Sequence, residues 1–286
     1  MKYFLVLRPW QWAKNLLIFI PFILTDDPIS SVIFELIVVF SLFSLFVSGT
    51  YILNDIRDHS TDINHPQKKL RPIASGKIKI REGRIYAYLL ISFSISTLSF
   101  IDTQLIIYFL IYLLFTTVYS RVLKYKNFFD SLSISTLFCL RIIIGSVFTN
   151  IQITSDLFLF VFFTSFYISM LKKNSIINTK IPDTNRYYKL LKKQNESIPF
   201  RILLFITGVF SNLSLNYWGT TFISSENVLN NISIITFMIL YLFFTFILYE
   251  SSNKGLLEDF VYGITKNKKL ISLILLQLIL FINFYF

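Results

Sequence analysis

The chain has 286 residues, 54% of them hydrophobic, with 32 Phe and a mean hydropathy of +0.62, which excludes a soluble globular fold and calls for a bilayer as solvent. Its net charge of +11 comes from 27 Lys and Arg set in several short segments, not one continuous stripe, which excludes a nucleic-acid-binding surface. The single Cys139 lies in an apolar run, so it supports no disulfide framework or Cys-based metal site and reads as core filler.

A hydrocarbon layer about 30 Å thick takes roughly 20 apolar residues per helix. About nine stretches fit: 10–25, 31–53, 84–101, 103–119, 128–148, 156–171, 198–217, 231–249 and 269–285. Lys2 and Arg8 precede the first, with no small-residue cleavage site, so it reads as a retained helix. The segments around 26–30, 102, 149–155 and 218–230 contain no Lys or Arg, whereas those around 54–83, 120–127, 172–197 and 250–268 hold most of them. This alternation predicts a cytoplasmic N-terminus and, with an odd helix count, a C-terminus outside. No internal repeat, Gly/Ser linker or soluble appendage interrupts the pattern, so residues 1–286 read as one domain.

One stretch departs from the apolar background: "YILNDIRDHSTDINHPQKKLRPIASG" at 51–76. If the second helix continues through it, Asp55, Asp58 and Asp62 fall three and four residues apart and share one face, with Asn54 at its edge. Three like charges on one face repel, and hard oxygen ligands of this kind suit Mg²⁺ carrying a phosphorylated substrate. A solvated acidic helix end balanced by Lys68, Lys69 and Arg71 accounts for the spacing equally well. His59 and His65 are isolated in this segment and are not read as metal ligands.

"NDIRDHSTD" matches the N-D-x-x-D-x-x-x-D signature of the UbiA superfamily of intramembrane prenyltransferases, which the chain resembles from its first helix almost to its last. "LRPWQWAKNLLIF" at 7–19, "HPQKKLRPIASG" at 65–76, "YSRVLKYKNFFD" at 119–130 and "KGLLEDF" at 254–260 are similar to the decaprenyl-phosphate phosphoribosyltransferase branch. The resemblance implies an all-α integral membrane protein, about nine transmembrane helices in a bundle with a cytoplasm-facing central cavity. It implies a multi-pass protein of the bacterial inner membrane with its active site on the cytoplasmic side. The chain departs from typical aromatic prenyltransferases, which carry a second acidic motif, D-x-x-x-D, after the sixth helix. Here the loop holds Asp183 alone among Lys172, Lys173, Lys180, Arg186, Lys189, Lys192 and Lys193. A lone acid in a basic loop is ill suited to a second metal but suits an additional phosphate, which favours phosphoribosyl pyrophosphate as donor.

The implied reaction is transfer of 5-phosphoribosyl from phosphoribosyl pyrophosphate to a polyprenyl phosphate. Mg²⁺ on Asp55, Asp58 and Asp62 would neutralise the leaving pyrophosphate. The acceptor oxygen is already anionic and needs no strong base. By resemblance Lys14 is a phosphate ligand, with a snorkelling interfacial lysine as the alternative. Arg71 and Lys77 flank "RPIASG", where Pro72 stiffens the loop and Gly76 permits close backbone approach; a plain topology-setting loop competes with that reading. Of Tyr119, Arg121 and Lys124, Lys124 is the preferred phosphate contact. Asp130 either takes a ribose hydroxyl, orients Lys124 or is a helix N-terminal acid. Arg186 joins the substrate-binding set, and a homo-oligomer stays open.

Deeper in the bundle, Arg141 and Glu35 are expected to form an ion pair, with a lining of the lipid-phosphate path as the alternative. Phe, Ile and Tyr read as lipid-facing filler, and Trp10, Trp12 and Trp218 as interface anchors. Glu258 and Asp259 either help close the site or cap their loop against Lys254. Two other functions compete: a prenyltransferase moving an isoprenoid from its diphosphate to a small aromatic acceptor, and a transporter or channel. A transporter should place its polar groups at the membrane midplane, whereas here they gather at one end of the helices.

Overall fold

The computed structural model describes residues 2–24, 30–64, 68–125, 127–178, 198–223, 228–257 and 260–285. Among them the regular structure is all helical. With no water in the hydrocarbon layer to satisfy backbone groups, a chain this apolar closes its hydrogen bonds within helices. Among the described residues seven helices are long and apolar enough to cross a bilayer: Val32–Arg57, Gln104–Arg121, Phe128–Thr149, Ser155–Asn178, Pro199–Thr220, Val228–Asn253 and Lys268–Tyr285. The protein is an integral membrane protein. Its chain divides into two units, Met1–Ile153 and Thr154–Phe286.

The first unit opens with helix α1 (Lys2–Val6), a 3-10 helix (Pro9–Phe19) and α2 (Ile20–Ile23). This is the first predicted span, and it differs from the expectation in being mostly 3-10. A 3-10 helix rises about 2.0 Å per residue, so eleven residues reach about 22 Å, which lets a short apolar stretch go most of the way across the layer. Small residues on its neighbours hold it close. Asn15 donates to Ser44 (3.0 Å), Trp12 donates to Ser48 (3.0 Å), and Ser48 donates to the Leu7 carbonyl (2.8 Å). A Cβ added to Gly145 would lie 2.0 Å from the Ile18 carbonyl oxygen, so only glycine allows this approach.

Helix α3 (Ser30–Arg57) has 28 residues, about 42 Å, and so outruns the hydrocarbon layer and carries the start of the acidic stretch beyond it. A one-turn helix α4 (His59–Asp62) follows, then α5 (Ile80–Leu98), α6 (Gln104–Arg121) and α7 (Asn127–Thr149). The third predicted span is α5, whose first turns carry Arg81, Glu82 and Arg84 and fall outside the hydropathy of a span. Helix α3 packs along α5, and α7 packs on α6 and the 3-10 helix. Phe43, Phe46, Phe109 and Tyr112 meet in the middle of this unit, Phe43 stacking on Phe46 and meeting Phe109 and Tyr112 edge-on, with Phe43 5.0 Å from Tyr112. These rings are fully buried, unlike Phe34 and Phe100, which point outward as the filler reading expects.

The second unit contains α8 (Ser155–Asn178), α9 (Ile198–Thr220), α10 (Val228–Asn253), α11 (Phe260–Lys266) and α12 (Lys268–Tyr285). Helix α8 packs on α9 and α10 on α12. Hydroxyl and amide side chains pair between these helices: the Tyr241 hydroxyl hydrogen-bonds Thr164 (2.8 Å) and Ser211 (2.7 Å), and Asn212 donates to Thr245 (3.2 Å). Trp218 is not an interface anchor. It is 6% exposed and stacks on Phe160 with rings 2° from parallel, because the indole fills a gap between helices here.

Candidate functional site

The acidic stretch does not continue α3 as one helix. Asp58 leaves the helical region at φ −82° and ψ 2°, and α4 starts immediately after it. The break redistributes the three carboxylates, so they do not share the single face that unbroken helical spacing predicts. Asp55 and Asp62, each 4% exposed, converge on one nitrogen, Nη1 of Arg71, at 3.1 and 2.6 Å. Asp58 turns away and accepts from Lys124 at 2.5 Å. A second guanidinium, that of Arg8, contacts the same Asp55 oxygen as Arg71.

Each acid is thus matched by a cation from a distant part of the chain. Arg8 comes from the turn before the 3-10 helix, Arg71 from the segment after α4, and Lys124 from the 3-10 turn after α6. The energetic reason is direct: burying a carboxylate is costly unless a cation answers it, and three in so short a segment would repel one another. Beside them Arg57 contacts the Ser120 hydroxyl and lies 3.5 Å from the Asn54 amide oxygen.

The donor chemistry fits a divalent ion. Asp55 and Asp62 offer hard oxygens that already enclose one positive charge, the Arg71 nitrogen, with Asp58 a short step along the chain. Among the described residues no group of three His, Cys, Asp or Glu is gathered closely enough to hold a metal ion, and Asp58 is engaged with Lys124.

The remaining predicted residues take varied positions. Lys14 is half-buried on the 3-10 helix, next to the buried Asn15. Tyr119 is half-buried and Arg121 exposed at the end of α6. Asp130 is buried in the first turn of α7. Lys77 is exposed; its backbone carbonyl accepts from Lys2 at 3.1 Å, and its side chain takes no part in the ion pairs of the acidic cluster. Gly76 has φ +74° with open space around it, so its role is the left-handed turn after "RPIAS". Arg186, with Asp183 and the basic residues of 180–193, lies outside the described residues, as do His65, Glu258 and Asp259.

Two features escaped sequence reasoning. Arg8 figures there only as a charge ahead of the first apolar run and as part of the matched stretch at 7–19, with no role assigned, and its position before Pro9 is the one local sign that it sits at a fixed turn. Arg141 does not pair with Glu35, which is exposed. It is 2% exposed and donates to the Asn15 amide oxygen (Nε, 2.9 Å), the Tyr112 hydroxyl (2.9 Å) and the Leu137 carbonyl. Its guanidinium also lies 5.1 Å from the Phe138 ring centre, 5.2 Å from Tyr112 and 6.0 Å from Phe43. Neutral dipoles and ring faces replace the expected carboxylate.

Comparison with known proteins adds a lineage. The model of the UbiA prenyltransferase family matches residues 16–254. The decaprenyl-phosphate phosphoribosyltransferase of Corynebacterium glutamicum is 31% identical over 58% of this chain and 52% of its own length. That of Mycobacterium tuberculosis is 28% identical over 57% of this chain and 55% of its own. The chain spans about half the length of these curated relatives. A UbiA homologue from Archaeoglobus fulgidus, solved bound to GPP and Mg²⁺, superposes with a TM-score of 0.69 at 16% identity, covering 100% of this chain and 98% of that one. This likeness establishes the fold.

Proposed function

Because the chain belongs to the UbiA prenyltransferase family, we propose that it transfers a 5-phosphoribosyl group from phosphoribosyl pyrophosphate to a polyprenyl phosphate. The observation that carries this reading is the pairing of three carboxylates across the α3–α4 junction with Arg8, Arg71 and Lys124. Such a cluster offers oxygens to a metal ion and releases cations to phosphates. The relatives from Corynebacterium and Mycobacterium support the donor, as does the loop of 172–197, with Asp183 its one aspartate among seven basic residues.

Asp55 and Asp62, joined by Asp58 once it leaves Lys124, would hold Mg²⁺, which would supply charge neutralisation for the departing pyrophosphate. Arg71 and Lys124, with Lys14, hold phosphate oxygens; Lys77 and Arg186 are further phosphate contacts, and Asn54, Tyr119, Arg121 and Asp130 complete the substrate-binding set. The bond from ribose C1 to the pyrophosphate oxygen breaks with oxocarbenium character, and a bond from C1 to the lipid phosphate oxygen forms. That oxygen is anionic, so the site needs no general base. The distribution of Lys and Arg supports a reading with this chemistry on the cytoplasmic side of a bacterial inner membrane and the N-terminus also cytoplasmic.

The test supplies purified full-length protein with labelled phosphoribosyl pyrophosphate, polyprenyl phosphate and Mg²⁺, and expects label in the lipid fraction. The A. fulgidus homologue bound to GPP motivates the rival, isoprenoid transfer from a prenyl diphosphate to a small aromatic acceptor. Label absent from lipid, together with a prenylated aromatic acid in the parallel assay, would decide for that rival.

A further inference from the structure

We propose that Arg8 is a substrate-contacting residue whose guanidinium holds a phosphate of the diphosphate-bearing substrate, a role that rests on such a substrate binding at the acidic cluster.

The backbone gives the first reason. Arg8 sits at φ 55° and ψ 58°, in the left-handed region. The one other described non-glycine residue at positive φ is Asn150, a residue type that tolerates it. A left-handed backbone is unfavourable for arginine, and a following proline further restricts the residue before it. The turn is held in place by hydrogen bonds on both sides: Arg8 N–H donates to the Leu5 carbonyl (3.2 Å), Gln11 N–H to the Arg8 carbonyl (2.8 Å), and Ser48 to the Leu7 carbonyl (2.8 Å). Strain maintained this firmly serves to aim the side chain.

Its target gives the second reason. The side chain is 17% exposed, lies 5.6 Å from the Tyr51 ring centre, and ends on the Asp55 oxygen that Arg71 already contacts. Arg71 and Arg8 together balance the charges of Asp55 and Asp62, yet both guanidiniums converge on the same Asp55 oxygen. Two guanidiniums on one oxygen repel each other, and an anion with several oxygens relieves that repulsion. The planar fork of arginine matches phosphate with two parallel N–H donors, which a carboxylate oxygen shared with Arg71 leaves partly unused.

The experiment titrates inorganic pyrophosphate, in the presence of Mg²⁺, into detergent-purified full-length protein by calorimetry, comparing wild type with Arg8→Gln and Arg8→Lys. Arg8→Gln is expected to weaken binding about tenfold or more, and Arg8→Lys, which keeps the charge but loses the fork, about threefold. If Arg8 merely ties down Asp55, its removal leaves pyrophosphate affinity unchanged or raises it, and that result overturns the proposal. Where Arg8→Gln does not fold, unchanged affinity in Arg8→Lys does the same, as does a wild type that binds no pyrophosphate. Weakened pyrophosphate binding in a protein that transfers no phosphoribosyl group would retain Arg8 and discard the donor. Phosphoribosyl transfer with unaltered affinity in both variants would do the reverse.

Discussion

Arg71 and Arg141 are both arginines of the first unit, and the protein treats them in opposite ways. Arg71 keeps 28% of its side chain exposed and faces two carboxylates across the α3–α4 junction. Arg141 is 2% exposed and meets no carboxylate among the described residues; an amide, a hydroxyl, a carbonyl and three rings surround it instead. Ion pairs with exposed cations can exchange partners, because water stabilises the charges during the switch. A fully buried cation held by fixed dipoles cannot, since leaving them would strand it in an apolar medium. The first arrangement suits a site that takes up charged ligands. The second suits a joint, and Arg141 joins α7 to the 3-10 helix through Asn15 and to α6 through Tyr112.

The largest effect should come from the exchangeable cluster. Asp55→Ala or Asp58→Ala is expected to lower turnover by at least about a hundredfold, because a lost metal ligand removes several kcal/mol of charge stabilisation, while circular dichroism still reports folded helices. Near wild-type turnover in both would show that the cluster is not the metal site. Arg141→Ala should act through stability. Losing three hydrogen bonds and stranding Asn15 should cost about 2–4 kcal/mol, read as reduced yield and a lower thermal unfolding midpoint in detergent, with turnover per folded molecule little changed. A stable but inactive Arg141→Ala would move this arginine from joint to site. Tyr112→Phe sharpens the same contrast with the smallest change. It removes one hydroxyl acceptor and leaves the ring face, so a loss of about 1 kcal/mol is expected, and a loss as large as that of Arg141→Ala would mean the hydroxyl, not the rings, carries the charge.

Much of this was legible along the chain. Hydropathy marks about nine stretches, and seven of them are helices long and apolar enough to span among the described residues, since twenty apolar residues in a bilayer have few alternatives to a helix. The acidic signature pointed to Asp55, Asp58 and Asp62, and basic residues at the matched motifs included Arg71 and Lys124, which do meet those acids. Other features were not legible. Helical spacing put the three acids on one face, but a single residue, Asp58, breaks the helix, and periodicity carries no sign of it. The first span was read as an ordinary helix because a 3-10 run has a similar composition; its closeness to Gly145 is what makes that geometry workable.

The partners of the charges divide in the same way. By itself the sequence determined that the protein lies in a membrane, where its helices run, and which short segment gathers its acids, because these depend on composition and local order. Only the tertiary structure decided that Arg8 and Arg71 share Asp55, that Lys124 answers Asp58, and that Arg141 rests on dipoles and rings instead of Glu35. The electrostatic cost of a buried charge is settled by whatever lies within a few ångströms of it, and those neighbours come from residues far apart in the chain.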